Sequence, residues 1–291
     1  MTTRDVPAPG GRTLSVHDDG DPGGVPVVVH HGTPSSGVLY GAWVEDAYRN
    51  GVRLIGFDRA GYGGSTRDRG RAVAAAAADV LALADALELE RFATWGISGG
   101  GPHALACAAL CGDRLVAAAT LAGVAPYDAE GLDWLAGMGQ ENLEEFGLAV
   151  QGEAAVEPYL ERVREHLLAT TPDEILAVFG DLLGAADRSV LSGAFAAWMA
   201  EASNHGLRAS ADGWLDDDLA FARPWGFDLG RIETPVLVVQ GGDDRFVPAA
   251  HGAWLAERVP GAEARLNEAD GHLTLIERRV PEVHAWLRDR F

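Results

Sequence analysis

Three residues of types that together activate a nucleophile stand far apart in this sequence. Ser98 lies in the stretch GISGG, residues 96–100, which places small residues on both sides of a hydroxyl at G-x-S-x-G spacing. A serine hydroxyl attacks a carbonyl only when a base takes its proton, and a carboxylate must orient that base. His272 stands in a late loop, DGHLT, and Asp244 follows a late apolar strand. We therefore expect Ser98 as nucleophile, His272 as general base and Asp244 as the orienting acid.

The residues around Ser98 predict a sharp turn from a strand into a helix. A β-prone run, residues 92–97, precedes the serine, and Pro102 with an alanine-rich segment follows it. A side chain at the apex of such a turn is pushed out of the sheet and needs strained backbone angles, so its neighbours must be small. The helix would also point its free N–H groups and positive dipole end at the serine, where an oxyanion forms.

A second loop offers another hydrogen-bond donor. The apolar run VPVVVH, residues 25–30, is typical of a parallel strand that is buried on both faces. The loop after it, residues 31–34, places Gly32 and the backbone N–H of Thr33 at the carboxyl end of that strand, where ligands bind in open α/β sheets. The alternative is a simple exit from the strand.

The elements predicted along the chain form an α/β fold. Strands alternate with helices up to residue 122, the pattern of a mostly parallel, doubly wound sheet, after an antiparallel edge hairpin over residues 5–18 that turns at Gly10-Gly11. From residue 126 to 229 only helical segments follow one another, and strands return at residue 235. We expect a core of residues 1–125 and 230–291 and an inserted all-helical lid of residues 126–229. The predicted lid helices are 133–148, 153–169, 172–183, 189–202 and 214–222.

Composition excludes several classes of function. The 291-residue chain has a formal net charge of −20, which argues against nucleic acid or an anionic membrane as partner. All 23 basic residues are arginine, so a lysine Schiff base and a P-loop lysine are excluded. The start of the chain lacks a signal-peptide pattern, and no apolar run is long enough to span a bilayer, so we expect a cytoplasmic protein. The histidines show no metal-ligand spacing, so we expect no metal and no cofactor. The oligomeric state cannot be read from the sequence.

In these motifs the chain resembles the α/β-hydrolase family with a helical lid. The G-x-S-x-G turn, the His31-Gly32 loop, the segment GGDDRFVP at residues 241–248 and the final Gly-His pair follow the family's order, with Ser, Asp and His in sequence. The resemblance implies that the backbone N–H groups of Thr33 and Gly99 form the oxyanion hole. It also favours Asp244 over Asp243, because Asp244 fits the family's G-x-x-D-x-x-V-P frame.

The resemblance implies a cofactor-independent serine hydrolase that cleaves an ester or related acyl bond of a small, largely apolar molecule through an acyl-enzyme. A proline-iminopeptidase-like enzyme, a carbon–carbon bond hydrolase and a non-catalytic small-molecule receptor of the same fold are the alternatives. Family members with an aspartate nucleophile are disfavoured by Ser98. Lid glutamates 141, 144 and 145 could hold a substrate amine, although an acidic helix is more often a solvated face. Candidates for lining the substrate pocket, or for simple packing, are His31, His103, Trp134, Met138, Trp198 and Met199.

Overall fold

The sheet is mostly parallel, as the sequence predicts, and has eight strands in the described chain. The computed structural model describes residues 2–171, 174 and 179–291. The strand order is β1-β2-β4-β3-β5-β6-β7-β8; β1 and β2 pair antiparallel, β2 pairs antiparallel with β4, and the remaining neighbours are parallel. The strands are β1 (Thr2–Ala8), β2 (Arg12–Gly20), β3 (Val25–His30), β4 (Val52–Phe57), β5 (Phe92–Ile97), β6 (Leu115–Leu121), β7 (Val236–Gly241) and β8 (Glu263–Asn267).

Helices cover both faces of this sheet. Those of the core are α1 (Gly41–Arg49), α2 (Ala75–Ala86), α3 (Gly100–Leu110), α9 (Ala249–Arg258), α10 (His272–Arg278) and α11 (Val280–Arg288). Strands β5 and β6 are buried at every position, which is why their sequences are mostly apolar instead of alternating. One hydrophobic cluster packs α2 and α3 on one face, and a second packs α1 and α11 on the other. The fold is therefore doubly wound.

The edge hairpin forms where the sequence predicts it. Strands β1 and β2 flank a short turn in which Gly10 and Gly11 both have a φ of +74°. Residues with a Cβ rarely adopt this left-handed conformation, so the glycine pair determines where the chain reverses. In the part of the chain that the structure describes, no helix is both long and apolar enough to cross a membrane.

Between β6 and β7 the described chain is helical. The inserted helices are α4 (Gln140–Ala149), α5 (Glu153–Ala169), α6 (Ala185–Val190), α7 (Gly193–Leu207) and α8 (Asp212–Phe221). The helix predicted over 133–148 begins only at Gln140, because Gly137 has a φ of +89° and Gly139 is extended. The helix predicted over 189–202 is divided before Gly193, whose φ is +55°. Half of the one predicted over 172–183 falls outside the described residues, and its described part includes a short turn, Gly180–Leu182.

Candidate active site

Ser98 stands at the apex of the turn between β5 and α3. Its φ is +52°, a strained conformation for a residue with a Cβ. The turn is tight because β5 and α3 approach each other at glycines: a Cβ at Gly96 would collide with the carbonyl oxygen of Gly100, and one at Gly100 with that of His30. The Ser98 backbone N–H donates to the carbonyl of Leu121 at 2.8 Å, which fixes the turn to the neighbouring strand. The serine side chain is consequently held out of the sheet.

His272 and Asp244 are hydrogen-bonded to each other. The imidazole Nδ1 lies 2.8 Å from Asp244 Oδ2, and Asp244 Oδ1 accepts from the backbone N–H groups of Phe246 at 2.9 Å and Val247 at 2.8 Å. Asp243 instead lies against Gly184 of the insertion. The contact with Asp244 leaves His272 Nε2 as the nitrogen that can take a proton from a nucleophile.

The charges around His272 hold its pKa above the ordinary value. Burial alone would lower the pKa of this imidazole, but the charge and hydrogen bond of Asp244, with a smaller contribution from Asp187, outweigh burial. The ring of Phe246 stacks on the imidazole, with the ring centroids 4.6 Å apart. A raised pKa stabilises the imidazolium that a general base becomes during catalysis.

His272 is the first residue of helix α10, which the sequence reads as a loop. The lid supplies the cap of this helix: Asp187 Oδ2 accepts from the N–H of His272 at 2.9 Å, and Oδ1 accepts from those of Leu273 at 2.9 Å and Thr274 at 3.0 Å. Asp187 is fully buried, and burial raises its pKa. A carboxylate at a helix N-terminus satisfies free N–H groups and interacts favourably with the helix dipole. Asp187 therefore positions the backbone of the candidate base.

The loop of residues 31–34 lies against the serine turn. A Cβ added to Gly99 would meet the Thr33 side chain, so the two residues are in close contact. Among the described residues, no hydrogen bond uses the backbone N–H of Thr33 or Gly99. Both N–H groups are thus available to an oxyanion beside Ser98. In the same loop, His31 is a fixed neutral ring, because its Nε2 accepts from the Arg59 N–H at 3.2 Å and burial lowers its pKa.

A buried aspartate of lid helix α8 anchors that loop. Asp217 Oδ2 accepts from Thr33 Oγ1 at 2.7 Å, Arg59 Nη2 at 2.6 Å and Tyr62 OH at 2.9 Å. Its Oδ1 contacts Arg71 Nη1 at 2.7 Å and His103 Nε2 at 3.1 Å. Although burial raises the pKa of Asp217, the charges of Arg59 and Arg71 lower it well below the usual range. Arg59 also donates to the carbonyls of His31 and Gly32, so the guanidinium links the loop to the lid.

Two adjoining cavities meet at Ser98. The larger cavity, of about 300 Å³, we call the acidic lobe. Its lining includes Ser98, Gly99, Glu145, Phe146, Asp218 and Phe221. The smaller, of about 140 Å³, we call the aromatic lobe; it is lined by Ser98, Phe195, Trp198, Met199, His272 and Ile276 among others. Thr33, Pro34, Leu167, Phe179 and Phe246 border both. The site is therefore a two-part cleft with the serine at its junction.

The six pocket candidates from the sequence divide into two groups. Trp198 and Met199 line the aromatic lobe. The other four lie outside the two lobes, within the described chain. His31 is held beneath the loop, and His103, bound to Asp217, has a pKa lowered to about 4 chiefly by burial. Trp134 and Met138 are buried in the packed core.

The glutamates of helix α4 do not all face solvent, although the sequence favours a solvated face for them. Glu144 is exposed, but Glu141 and Glu145 line the acidic lobe. The three consecutive aspartates of α8, residues 216–218, are all buried and were missed by the sequence analysis. The only signal for them is their position inside the otherwise apolar stretch GWLDDDLAF, which an exposed helix face would not require.

One cluster of His and Asp has the composition of a metal site. Ligand atoms of His17, Asp58 and His205 lie within 4.8 Å of one another. The Asp58 carboxylate already accepts from the backbone N–H groups of Gly37 at 2.8 Å and Gly64 at 3.0 Å and contacts both imidazoles, His17 at 3.2 Å and His205 at 2.9 Å. Four hydrogen-bond partners fill the lone pairs of a carboxylate. The cluster therefore serves as a link between β2, the loop after β4 and lid helix α7.

Comparison with known proteins matches most of this chain. Residues 25–279 match the model of a family described as the alpha/beta hydrolase fold. A protein of Streptomyces lividans named non-heme chloroperoxidase is 30% identical over 246 residues, which cover 84% of this chain and 83% of that protein. A protein of Burkholderia pyrrocinia with the same name is 29% identical over 233 residues, covering 78% and 77% of the two chains.

Solved structures resemble the whole chain. A bromoperoxidase from Bacillus anthracis superposes with a TM-score of 0.73 at 23% identity, over 98% of each chain. An esterase from Thermogutta terrifontis gives a TM-score of 0.72 at 23% identity, over 100% of this chain and 99% of that one. An enol-lactonase from Burkholderia xenovorans gives 0.69 at 21% identity, over 99% of each. At these identities the likeness shows a common fold.

Proposed function

Because the chain belongs to the alpha/beta hydrolase fold family, we propose that it is a cofactor-independent serine hydrolase that cleaves an ester or related acyl bond through an acyl-enzyme. One observation carries the proposal: Ser98, at the strained apex of its turn, borders the same cavity as an imidazole whose other nitrogen is bound to a buried carboxylate. This is the arrangement that turns a hydroxyl into a nucleophile at neutral pH.

The proposed reaction has two halves, acylation of Ser98 and hydrolysis of the acyl-enzyme, and His272 transfers protons in both. His272 Nε2 takes the proton of Ser98 Oγ as the oxygen attacks the acyl carbon, and Asp244 stabilises the imidazolium. The backbone N–H groups of Thr33 and Gly99 donate to the oxyanion, a contribution that typically speeds turnover about 100- to 1000-fold per donor. The imidazolium then protonates the leaving group, and a water activated by the same imidazole hydrolyses the acyl-enzyme.

The position of His272 assigns roles to the two lobes. A general acid must lie next to the leaving-group atom that it protonates, and His272 lines the aromatic lobe. We therefore place the leaving group in the aromatic lobe, against Trp198 and Met199, and the acyl group in the acidic lobe. Apart from its carboxyl groups, the acidic lobe is mostly apolar, which suits an acyl group of small size.

Labelling with a fluorophosphonate probe and turnover of p-nitrophenyl acetate test the proposal. The parent protein should be labelled and should release p-nitrophenol, and Ser98→Ala should lose both, with a fall in kcat on the order of 10⁴-fold or more. Ser203→Ala is the matched control, because Ser203 lines the aromatic lobe but stands on helix α7. Labelling that persists in Ser98→Ala and disappears in Ser203→Ala would show that the nucleophile is Ser203 and not Ser98.

The same assays distinguish Asp244 from Asp243 as the acid that orients His272. Asp244→Asn should cost turnover on the order of 10³- to 10⁴-fold, since an amide does not hold the imidazole in its reactive tautomer. Asp243→Asn should leave turnover nearly unchanged, because Asp243 lies against Gly184 and the His272 imidazole is bonded to Asp244. Equal losses in the two variants would contradict the assignment.

The named relatives supply a second candidate, peroxide-dependent halogenation. It rests on the chloroperoxidase name of two relatives and the bromoperoxidase name of one structure. Halogenation of a dimedone substrate, measured with hydrogen peroxide and bromide, distinguishes it from ester hydrolysis. Tight ligand binding without turnover of any acyl substrate would instead indicate a receptor of the same fold.

A further inference from the structure

The acidic lobe contains a pair of carboxyl groups that the proposed reaction does not use. Asp218, on lid helix α8, is fully buried and lines the lobe together with Glu145 of helix α4. Glu145 Oε1 accepts from Trp214 Nε1 at 2.8 Å. Neither oxygen of Asp218 accepts a hydrogen bond from a donor group within the described residues. We call Glu145 and Asp218 the acidic pair.

The arginines near this helix are committed to other acids. Arg59 and Arg71 form ion pairs with Asp217 at 2.6 and 2.7 Å, and Arg67 pairs with Asp216 at 2.8 Å. Asp218 is thus a buried carboxyl without a counter-charge in the described part of the chain, a costly arrangement unless something else neutralises it.

The two members of the acidic pair shift each other's titration. Burial raises the pKa of Glu145 to about 6. Burial, and then the charge of Glu145, raise the pKa of Asp218 well above its usual range. Two carboxyl groups in contact share a proton, because only a protonated one can donate to the other. The other titratable groups facing the lobe are Glu141, Tyr159 and His166.

We propose that the acidic pair binds a protonated amine carried by the acyl part of the substrate. Two carboxyl groups that share one proton still carry one buried negative charge, with no cation beside it in the described residues. An ammonium group brings a positive charge and N–H donors to that pair and so offsets the cost of burying its charge. The proposal rests on the proposed function only for placing that amine on the acyl side of the bond that Ser98 attacks.

The surroundings favour an organic cation over a metal ion. The lobe walls are formed largely by Val124, Phe146, Val163, Leu167, Leu182 and Phe221. A hard cation takes six or more oxygen ligands or keeps its waters, which apolar walls do not provide. Within the described residues, the acidic pair is not part of a group of three or more metal-ligating side chains; the group found consists of His17, Asp58 and His205. An amine with an apolar body matches both the carboxyls and the walls.

Binding measured without catalysis tests the charge requirement. Benzylammonium and benzyl alcohol have nearly the same shape, and only the first is charged. Calorimetry on the Ser98→Ala protein should show benzylammonium bound about 10- to 100-fold more tightly than benzyl alcohol, as expected for a charge-assisted hydrogen bond in a buried site. Equal affinities, or tighter binding of the alcohol, would overturn the proposal.

Variants of the pair test its location. Asp218→Asn and Glu145→Gln keep the shapes of the side chains, and each should remove the preference for benzylammonium. Glu144→Gln is the matched control, because it makes the same charge change on the exposed side of the same helix. Each pair variant should also melt at the same or a higher temperature than the parent, since it removes a buried carboxyl. A preference that survives both pair variants and is lost in Glu144→Gln would place the amine site elsewhere.

Turnover separates this proposal from the general one. Methyl esters of straight-chain acids are compared with esters of the same chain length that carry a terminal amine, with acid release measured by titration. At the best chain length the amine should raise kcat/KM about 10- to 100-fold in the parent protein but not in Asp218→Asn. Hydrolysis of both series without any preference, together with absent amine binding, overturns the acidic-pair proposal alone. Amine binding without hydrolysis of either series overturns the hydrolase proposal alone.

Discussion

Replacement of Asp187 by asparagine should both loosen helix α10 and shift the pH dependence of the reaction. Asp187 accepts from the N–H groups of His272, Leu273 and Thr274, and its charge helps to raise the pKa of His272 against the effect of burial. Asparagine is nearly the same shape and keeps one acceptor oxygen. The substitution therefore removes the charge and one acceptor while it preserves packing.

The loss in stability follows from the hydrogen bonds. If the remaining oxygen takes the place of Oδ1, the N–H of His272 at 2.9 Å faces an amide N–H₂ group instead of an acceptor. One unsatisfied buried donor costs about 1–3 kcal/mol. Part of this is offset, because burial raises the pKa of Asp187 and the charged carboxylate is therefore costly to bury. We expect a net loss of about 1–2 kcal/mol in the free energy of unfolding, measured with urea.

The pH effect has a definite sign. In the proposed reaction His272 must be neutral to accept the serine proton, so the acidic limb of kcat/KM should follow its pKa. Because Asp187 contributes to raising the pKa of His272, its loss should move this limb to lower pH. Asp5→Asn is the control, since it makes the same charge change on the exposed edge strand β1. A limb that stays in place or moves to higher pH, in a variant that is folded, would refute an electrostatic role of Asp187 at His272.

Two further substitutions test the other buried aspartates that join the lid to the core. Asp217→Asn leaves Arg59 and Arg71 without their counter-charge; we expect a loss of about 3–5 kcal/mol by urea unfolding and, because Thr33 is released, a fall in kcat of about 10- to 100-fold. A folded variant with unchanged kcat would contradict the anchoring role. Asp58→Asn tests the link to lid helix α7. Burial raises the pKa of Asp58, but hydrogen bonds from His17 and His205 outweigh burial and lower it overall. The Asp58 carboxylate therefore stabilises the fold at pH values above the pKa of the unfolded state, which is near 4. The variant should be about 2–4 kcal/mol less stable at pH 7, and this difference should shrink as the pH falls below about 4; a constant difference would exclude the charge as its source.

The parts of the site that the sequence predicts are those encoded locally. The turn at Ser98 follows from glycines within two residues of it, and the loop at Thr33 follows directly from an apolar strand. Parallel strands bring their carboxyl ends to one edge of the sheet. The order of the strands is therefore enough to place the Ser98 turn and the Thr33 loop at the same edge as the ends of β7 and β8, which precede Asp244 and His272. Local sequence is sufficient here because the residues that form each turn lie next to one another in the chain.

Long-range contacts decide what the sequence does not show. The stretch DGHLT gives only a short helix signal, in which Thr274 Oγ1 accepts from the Gly271 N–H at 2.7 Å. The first N–H groups of α10 are instead satisfied by Asp187, 85 residues earlier in the chain than His272. Trp134 and Trp198 are indistinguishable as residue types, yet the first is buried in the core and the second lines a lobe. The difference depends on how the inserted helices dock, and a single helical periodicity cannot determine docking.

The insertion contributes to the site itself as well as covering it. Asp187 caps the helix that begins at His272, Asp217 binds the side chain of Thr33 beside the oxyanion position, and Asp218 borders the proposed acyl lobe. The first two of these contacts join a carboxyl of the insertion to a group of the core, the backbone of His272 and the side chain of Thr33. A lid exchanged for that of a relative would therefore change both the shape of the pocket and the geometry of the base and oxyanion donors. Transfer of substrate preference between such proteins should be more complete when the aspartates at positions 187 and 217 are carried along, because they hold the backbone of the proposed base and the loop of the proposed oxyanion donors.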